Sequence, residues 1–474
     1  MMRTRITAAV LLAASLAIYL AGQQANPPGF YLDECSIGFN ALQIARHGVD
    51  EHGVAFPLFF EAFGEYKNPV YIYLLAAVFK ATGPSNLVAR RLSALLGWLA
   101  CVAIGWLGWR VSRSRAVAAA SFLLAVFTPM IFEISRLAFE VTVYPLATAL
   151  FLLAVWHASR RERWTARDVA AITATLLLLT YAYSIGRLFA PLLLVALIAV
   201  FFTRARLPQL TAIAMAFVLL GIAPIVAFNS MHGGAMTLRF NSLSGIDASR
   251  PIESLTFFEQ HYVDNALPLR MGLEGDPNIR HHVPGSGGSI LLVTFALAAG
   301  GAVIAFRSRD RWWRFVLAGT ALSLVPVSLT VDRWHTLRMA PYPVFLVVLS
   351  IPALEWLRQR RRAAMAIAMA GAIQAVWFFT IFCRDGGKRW GEFDHGGRHA
   401  VDTAIAQGIR PIAVDDSVHI QAWWYGAQRG VEPSAFAIGV LPKPGGVVIS
   451  AHGAPKDAKI LLDAEGYTVY IARW

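Results

Sequence analysis

The stretch LVARRLSALLGWLACVAIGWLGW, residues 87–109, is a long apolar run, and the basic segment RVSRSR, residues 110–115, follows it directly. A helix of about 20 apolar residues crosses the roughly 30 Å hydrocarbon layer of a bilayer. Basic residues collect in the loops on the cytoplasmic side of a membrane. The run therefore predicts a membrane-spanning helix, and its basic flank predicts that this end faces the cytoplasm.

The composition of the whole chain agrees with this interpretation. Of its 474 residues, 57% are hydrophobic and only 15% are charged, and the mean hydropathy is +0.53. Soluble domains carry about 25% charged residues. Similar apolar runs recur along the chain and predict about eleven spans. They cover residues 6–23, 87–109, 116–132, 141–158, 168–183, 187–202, 210–228, 289–306, 315–331, 340–357 and 363–382.

The net charge of +13 invites a nucleic-acid interpretation, but the placement of the charge excludes it. The basic residues concentrate in alternate loops, which is typical of the cytoplasmic side of a multi-pass protein. These loops are RVSRSR (110–115), SRRERWTAR (159–167), TRAR (203–206), RSRDRWWR (307–314) and RQRRR (358–362). An odd number of spans then places the C-terminus on the other side of the membrane.

The sequence predicts two domains. Residues 1–383 form an all-α polytopic membrane domain with two external segments, a first loop at 24–86 and a long mobile loop at 229–288. Within the first loop, NPVYIYLLAAVFK is too short to span comfortably and favours a helix at the membrane interface. Residues 384–474 lose the membrane composition and predict a small external α/β domain. In it, PIAVDD, GGVVISA and YTVYIARW predict strands, while GGRHAVDTAIAQGI and KDAKILLDAEG predict helices.

Candidate site residues lie in four polar stretches that share the external side. Ionisable residues near a membrane are costly and therefore suggest function. Cations stabilise a departing phosphate and a carboxylate can accept a proton, so the mixture suits transfer from a lipid-linked phosphate. The candidates are Asp33 and Glu34; Asp50, Glu51, Tyr66 and Lys67; Arg136 and Glu140; and His335 and Arg338.

Each candidate also has a purely structural interpretation. Asp33 and Glu34 could cap a helix, and Lys67 could extend to the lipid headgroups. Arg136 and Glu140 have the spacing of a helix-surface ion pair. Adjacent histidines at 281 and 282 point opposite ways in a strand, which makes them a poor metal pair.

Six motifs, in order, resemble the GT-C superfamily of polytopic glycosyltransferases. The resemblance is to the bacterial branch related to protein O-mannosyltransferases and to the aminoarabinose transferase of lipid A. The motifs are LDECSIGFNA (32–41), DEHGVAFPLFFEAFGEYKNPVYIYL (50–74), RRLSALLG (90–97), SRLAFE (135–140), YAYSIGRLFAP (181–191) and HTLRMAPYP (335–343). Two positions depart from the pattern: Asn68 stands where a second proline is expected, and Glu65 stands where Asp is expected.

The resemblance implies a GT-C-like bundle and a role for each candidate. Asp33 is the implied catalytic base with Glu34 assisting, and Lys67 and Arg338 are implied contacts of the donor phosphate. His335 and Arg136 join that phosphate-binding set. Glu140, Tyr66, Asp50 and Glu51 support the site.

The implied reaction moves a sugar from a polyprenyl-phosphate donor to a glycolipid, polysaccharide or protein acceptor. It would invert the anomeric centre at the periplasmic face of a bacterial inner membrane. Whether a divalent ion sits beside Asp33, Glu34 or Glu140 stays open. A transporter or flippase of lipid-linked saccharides is the alternative, although such proteins usually place ionisable groups near the midplane.

Overall fold

A computed structural model describes residues 2–473, apart from the side chains of residues 2–5 and 239. Met1 and Trp474, the end residues of the two predicted domains, lie outside the described residues. The helices in chain order are α1 (Met2–Leu20), α2 (Leu32–His47), α3 (Pro69–Thr82), α4 (Asn86–Ser112), α5 (Arg115–Val126), α6 (Pro129–Ile134), α7 (Tyr144–Ser159), α8 (Ala166–Ala182), α9 (Gly186–Phe201), α10 (Leu207–Phe217), α11 (Ala223–Met231), α12 (Ala235–Leu243), α13 (Pro251–Ala266), α14 (Pro268–Leu273), α15 (Leu292–Arg307), α16 (Arg311–Leu322), α17 (Val325–Ser328), α18 (Tyr342–Leu349), α19 (Ile351–Leu357), α20 (Arg361–Asp385), α21 (Gly397–Ala406) and α22 (His419–Gln428). The strands are β1 (Phe60–Ala62), β2 (Glu65–Lys67), β3 (Ile412–Val414), β4 (Phe436–Ile438), β5 (Val447–Ser450), β6 (Lys459–Ala464) and β7 (Tyr467–Ile471).

Each of the eleven predicted spans overlaps helix. Within the described residues, four helical segments are long and apolar enough to cross a membrane, and these are Asn86–Ser112, Glu140–Ser159, Arg204–Met231 and Arg361–Lys388. The remaining predicted spans correspond to shorter helices, so the count of eleven crossings stays a prediction. The apolar helices support a multi-pass membrane protein. Several of the shorter helices are interrupted beside a proline, such as Pro129 in α6 and Pro326 in α17. Proline lacks the N–H that a continuous helix needs.

Three of the Arg-rich loops, 159–167, 203–206 and 307–314, meet at one end of the bundle. Arg160 Nη2 lies 2.8 Å from Asp310 Oδ2, and Arg206 Nη2 donates to the carbonyl of Arg161 at 2.6 Å. The segment Glu140–Ser159 has 20 residues and begins at Glu140, at the other end of the bundle. At 1.5 Å per residue it separates the two ends by about 30 Å. We call the end that holds Glu140 the site end.

The segment at 229–288, predicted as a mobile loop, is largely helical, and that prediction is wrong. It contains α12, α13 and α14. Most of the glycines that suggested a loop lie before α12 or after α14. Pro251 and Pro268 begin α13 and α14, where the missing N–H of proline costs nothing.

The C-terminal part is an α/β domain with a five-stranded sheet of order β4-β3-β5-β7-β6. β3 pairs in parallel with β4 and β5, while β7 pairs antiparallel with β5 and β6. The predicted helix at KDAKILLDAEG is wrong, because residues 459–464 form β6. Glu465 and Gly466 have φ values of 56° and 82° and make a two-residue turn into β7. Positive φ at both positions is the geometry of a tight hairpin, which pairs the flanking segments as strands.

This domain packs directly on residues 24–86, the predicted first loop. The Trp424 ring stacks on Phe30 and Phe79 with centroid separations of 5.7 and 5.8 Å, and its Nε1 donates to Asn86 Oδ1 at 2.8 Å. A Cβ at position 38 would lie 2.9 Å from this ring, so α2 needs Gly38 to approach α22. The contact buries α2 and thereby holds its first turn in place.

Candidate functional site

Asp33 and Glu34 lie in the first turn of α2 but face different surroundings. Glu34 is fully buried, and its Oε2 accepts from the Tyr31 N–H at 2.9 Å. It also forms a two-pronged pair with Arg90 at 3.0 and 2.8 Å and accepts from the Ala138 N–H at 2.8 Å. Glu34 therefore anchors the start of α2 to α4 and to the turn before Glu140. The capping interpretation fits this residue.

Asp33 is partly exposed at the site end. Its Oδ1 lies 2.5 Å from Lys67 Nζ, and the Asp33 side chain is 37% exposed while that of Lys67 is 11% exposed. The hairpin of β1 and β2 presents Lys67, with Phe60 paired to Lys67 across the strands. An acid and a cation from two different elements thus meet where a substrate can reach the acid.

Carboxylates surround Lys67. Burial acts to lower the pKa of its ammonium, but Asp33, Glu140 and Glu51 act to raise it, and the net pKa lies above the ordinary value. Burial also raises the pKa of the Glu51 carboxyl, which accepts from Asn40 Nδ2 at 3.1 Å. Lys67 is therefore held in the charged form that can bind a phosphate.

Asn68, at the position where the family pattern expects proline, has two polar contacts in this structure. Its N–H donates to Glu140 Oε1, and its Oδ1 accepts from Arg187 Nη2 at 3.1 Å. A proline could make neither contact. The departure from the pattern thus ties Lys67 to Glu140 and brings Arg187 to the same site.

Three predicted site residues occupy other surroundings. Asp50 is buried and its Oδ1 accepts from the backbone N–H groups of His52 and Val54 at 2.9 and 2.8 Å, which shapes a turn. The Tyr66 ring packs against Phe228 with centroids 4.9 Å apart.

The third, Arg136, is also buried. Its Nε donates to the Asn26 carbonyl at 2.9 Å and its Nη2 to the Ala21 carbonyl at 2.8 Å. Arg136 thus satisfies backbone acceptors just after α1, and its predicted role at the phosphate finds no support in these contacts.

His335 and Arg338 belong to a second cluster. Asp276 Oδ2 accepts from the Thr336 N–H at 2.6 Å and lies 3.0 Å from His281 Nδ1. Asp276, His281 and His335 each offer a ligand atom, and these atoms lie within 4.8 Å of one another. The Nδ1 of His335 is buried without a hydrogen-bond partner. Two imidazoles and a carboxylate are a donor set that suits zinc.

The second cluster adjoins a cavity of about 320 Å³. The cavity is lined by Asp276, Pro277, Asn278, Val331, Asp332, Arg333, Trp334 and His335. Arg338 Nη1 donates to Asp332 Oδ2 at 2.8 Å and to Thr330 Oγ1 at 2.9 Å. The guanidinium is thus held at the edge of the loop that lines the cavity.

Arg280 and Tyr31 connect the second cluster with the Asp33–Lys67 pair. Arg280 Nη1 donates to the Tyr31 hydroxyl at 2.7 Å, and the guanidinium lies 4.1 Å from the centre of the Tyr31 ring. Tyr31 precedes α2, and the charges of Asp33 and Lys67 both act on its hydroxyl. The side chains of the neighbouring His281 and His282 point in different directions. His281 faces Asp276, while His282 Nδ1 lies 2.6 Å from Glu133 Oε2.

Comparison with solved structures identifies the fold. ArnT from Cupriavidus metallidurans bound to undecaprenyl phosphate superposes with a TM-score of 0.63 at 12% identity, over 98% of this chain and 97% of that one. The chain has the ArnT fold. The resemblance predicted from the motifs is therefore confirmed at the level of the fold. No protein-family profile and no curated protein sequence matches this chain.

Two structures of the oligosaccharyltransferase AglB from Archaeoglobus fulgidus share the architecture less closely. One, in complex with an inhibitory peptide and a dolichol-phosphate, has a TM-score of 0.50 at 15% identity. The other, in complex with zinc and sulfate, has a TM-score of 0.51 at 14% identity. This chain is covered to 90% by each but spans only 63% and 62% of the AglB chains.

Sequence reasoning missed Arg187, Arg280 and Asp276. Arg187 carried a usable signal, because it is a lone arginine in an apolar loop predicted on the external side and lies within one of the six motifs. Arg280 and Asp276 gave no such signal, because their polar loop resembled many surface loops. Only the folded chain brings them beside Tyr31 and His335.

Proposed function

We propose that this protein is a glycosyltransferase that moves a sugar from a polyprenyl-phosphate donor to an acceptor at the outer face of the membrane. The observation that carries the proposal is the Asp33–Lys67 pair at the site end of an ArnT fold. The pair joins an accessible carboxylate to a cation that stays charged, and the reaction needs one of each.

Donor binding exchanges the partner of Lys67. The ammonium turns from Asp33 toward the donor phosphate, which compensates its negative charge. Asp33 then accepts a proton from the acceptor hydroxyl or amine. The ion pair thus keeps the base occupied until the donor has bound.

One displacement completes the transfer. As Asp33 takes the proton, the acceptor atom forms a bond to the anomeric carbon. The bond from that carbon to the phosphate oxygen breaks, and polyprenyl phosphate leaves with the electron pair. A single in-line displacement inverts the anomeric centre.

Lys67 shares the leaving phosphate with arginines in this proposal. Arg187 lies beside Asn68, the residue that follows Lys67, and is added to the predicted set. Arg338 comes from the second cluster, where Asp332 is its partner before the donor arrives. Fixed cations aimed at developing charge are a large source of catalysis.

The reaction can be tested with purified protein in detergent. We expect a polyprenyl-phosphate sugar to be consumed and a glycosylated product to be detected by mass spectrometry. Envelope extracts from a deletion strain identify the acceptor, whether glycolipid, polysaccharide or protein. A flippase would give no product in detergent, because transport needs a sealed membrane, so that result would overturn the proposal.

The sidedness of the site has its own test. The Arg-rich loops predict that a periplasmic phosphatase reporter is active when fused at the C-terminus and silent when fused near Arg360. The reverse pattern would move the site to the cytoplasmic face and exclude the proposed topology.

We also propose that Asp276, His281 and His335 bind a divalent metal, with zinc favoured by the two imidazoles. The unpartnered Nδ1 of His335 supports this fit. The metal would tie the loop carrying Arg280 to the loop carrying Arg338. Elemental analysis should find about one zinc per chain, lost in His335→Ala together with some thermal stability. Full stability without bound metal would reject the site.

A further inference from the structure

The helix α13 buries several polar side chains and exposes several apolar ones. Its polar residues Ser254, His261 and Asn265 are buried. Its apolar residues Ile252, Leu255 and Val263 are 80%, 66% and 52% exposed. A helix that faces water shows the opposite arrangement. Glu253 and Glu259 are exposed on α13 as well, so its outer face is amphipathic and suits the boundary between lipid headgroups and acyl chains.

Hydrogen bonds to the rest of the protein determine which face of α13 points inward. Asn265 Nδ2 donates to Ser328 Oγ at 3.3 Å, and its Oδ1 accepts from the Trp334 N–H at 2.8 Å. His261 Nε2 lies 3.3 Å from Arg333 Nε. Rotating the helix to hide its apolar face would break these contacts and leave buried polar groups unpaired.

The helix lies at the level of the bundle, not beyond it. The Tyr262 hydroxyl donates to the carbonyl of Ala321 at 2.9 Å, and Ala321 lies in the last turn of α16. α13 also packs against α17, which continues the same predicted span. This depth corresponds to the bilayer leaflet at the site end.

The exposed face is continuous with a surface that faces lipid. The segment Arg204–Met231 is the most apolar candidate span, and little of it is buried inside the protein. Its last residue, Met231, is 73% exposed, and Leu238 on α12 is 58% exposed. On α14, Leu269 is 67% exposed and Leu273 is 51% exposed. We call α12, α13 and α14 the shelf.

We infer that the shelf lies at the boundary between headgroups and hydrocarbon in the leaflet at the site end, with phospholipid acyl chains covering its apolar side chains. Arg250, directly before α13, and Arg270 on α14 are paired with Glu253 and Glu274. Apolar contact with acyl chains provides the binding.

Contacts between α13 and the loop before His335 also make the position of the second cluster depend on the shelf. Arg333 Nη1 lies 2.6 Å from Asp264 Oδ2, and Trp334 Nε1 donates to the Asp264 carbonyl at 2.9 Å. These residues directly precede His335 and Arg338. Acyl chains that hold α13 in place thus hold the loop that carries Arg338, and the consequence for donor binding rests on the proposed function.

The lipid contact can be measured without activity. The full chain with Cys383→Ser carries only the buried Cys35 and Cys101, so one introduced cysteine can be spin-labelled. Leu255→Cys reports on the shelf. Leu441→Cys is the matched control, because Leu441 is 87% exposed in the C-terminal domain. Both are placed in nanodiscs of phosphatidylethanolamine and phosphatidylglycerol, and Tm confirms folding.

We expect oxygen, which concentrates in lipid, to relax the label at position 255 more than a water-soluble nickel chelate does. The label at position 441 should show the reverse. Equal nickel access at both positions would place the shelf in water and overturn the inference. Exclusion of both reagents at position 255 would also overturn it, because a protein surface would then cover the shelf.

The functional consequence is measured separately. Leu255→Glu should raise the KM for the polyprenyl donor more than that for the acceptor, because the Arg338 loop loses its support. Normal kinetics with a lipid-seated label would reject only this coupling. Absence of any transferase activity in the unmodified protein would reject the proposed function and leave the label result valid.

Discussion

The Asp33–Lys67 pair and the Glu34–Arg90 pair begin at adjacent residues and differ in almost every physical respect. Asp33 is 37% exposed and its cation comes from a β-hairpin. Glu34 is fully buried, its cation comes from α4, and backbone N–H groups of Tyr31 and Ala138 complete its contacts. The first pair can exchange partners and the second cannot.

Helix geometry explains the difference. Successive residues of an α-helix point about 100° apart, since 3.6 residues complete a turn. In α2 that angle directs Glu34 toward α4 and directs Asp33 toward the hairpin. We therefore propose separate roles for the two neighbouring carboxylates. Asp33 accepts the proton, and Glu34 assists by holding the start of α2 in place, not by proton transfer.

The largest expected effect is on the rate of the Asp33→Asn variant. Asparagine keeps the size of the side chain but accepts no proton from the substrate. Loss of a general base typically costs about 10²- to 10⁴-fold in kcat. Initial rates at saturating donor and acceptor measure this, and Tm should change little because Asp33 is partly exposed.

Glu34→Gln is the matched control for that experiment. Removing one partner of a buried ion pair typically costs about 3–5 kcal/mol of stability, because the other charge stays buried and unpaired. We expect a clear fall in Tm, with kcat per folded molecule much closer to normal than in Asp33→Asn. If Glu34→Gln kept its Tm but lost its rate, the division of duties between the two carboxylates would be reversed.

Lys67→Ala should have the next largest effect. Loss of one electrostatic donor to a developing charge typically costs about 10²- to 10³-fold in rate. Part of this loss should appear in the KM for the donor, whose phosphate is already charged before reaction. Titrating each substrate separately distinguishes this from a change in acceptor binding.

Lys67→Arg tests the geometry of the same pair. A planar guanidinium should restore only part of the rate, since it replaces a compact charge among three carboxylates. A lysine that only extends to the headgroups predicts normal kinetics for Lys67→Arg. Unchanged donor KM and kcat in Lys67→Ala would remove this residue from the site.

The smallest expected effect is that of Arg136→Gln on donor binding. The structure surrounds Arg136 with carbonyls of Asn26 and Ala21, so its loss should lower Tm and leave the donor KM near normal. A selective rise in donor KM would restore the role that its motif predicted.

Particular residues show how far sequence reasoning reached. Apolar runs located helix at all eleven predicted positions, because burial in hydrocarbon imposes a strong and local pattern. The resemblance assigned Asp33 and Lys67 to one site, but their ion pair appears only in the structure, since 34 residues separate the two. The strand at 459–464 was missed because its short apolar run does not distinguish helix from strand.

The sequence by itself determined that the chain needs a membrane, that its Arg-rich loops alternate, and that acids and cations accumulate on the opposite side. These properties depend on composition and local order, which solvation by lipid or water acts on directly. Tertiary structure alone decided that Asp33 is partly exposed while Glu34 is buried, that Arg187 and Arg280 lie beside the predicted residues, and that α13 exposes Ile252 and Leu255 while burying His261. Those outcomes depend on which distant segments become neighbours, and no local pattern in the chain records that.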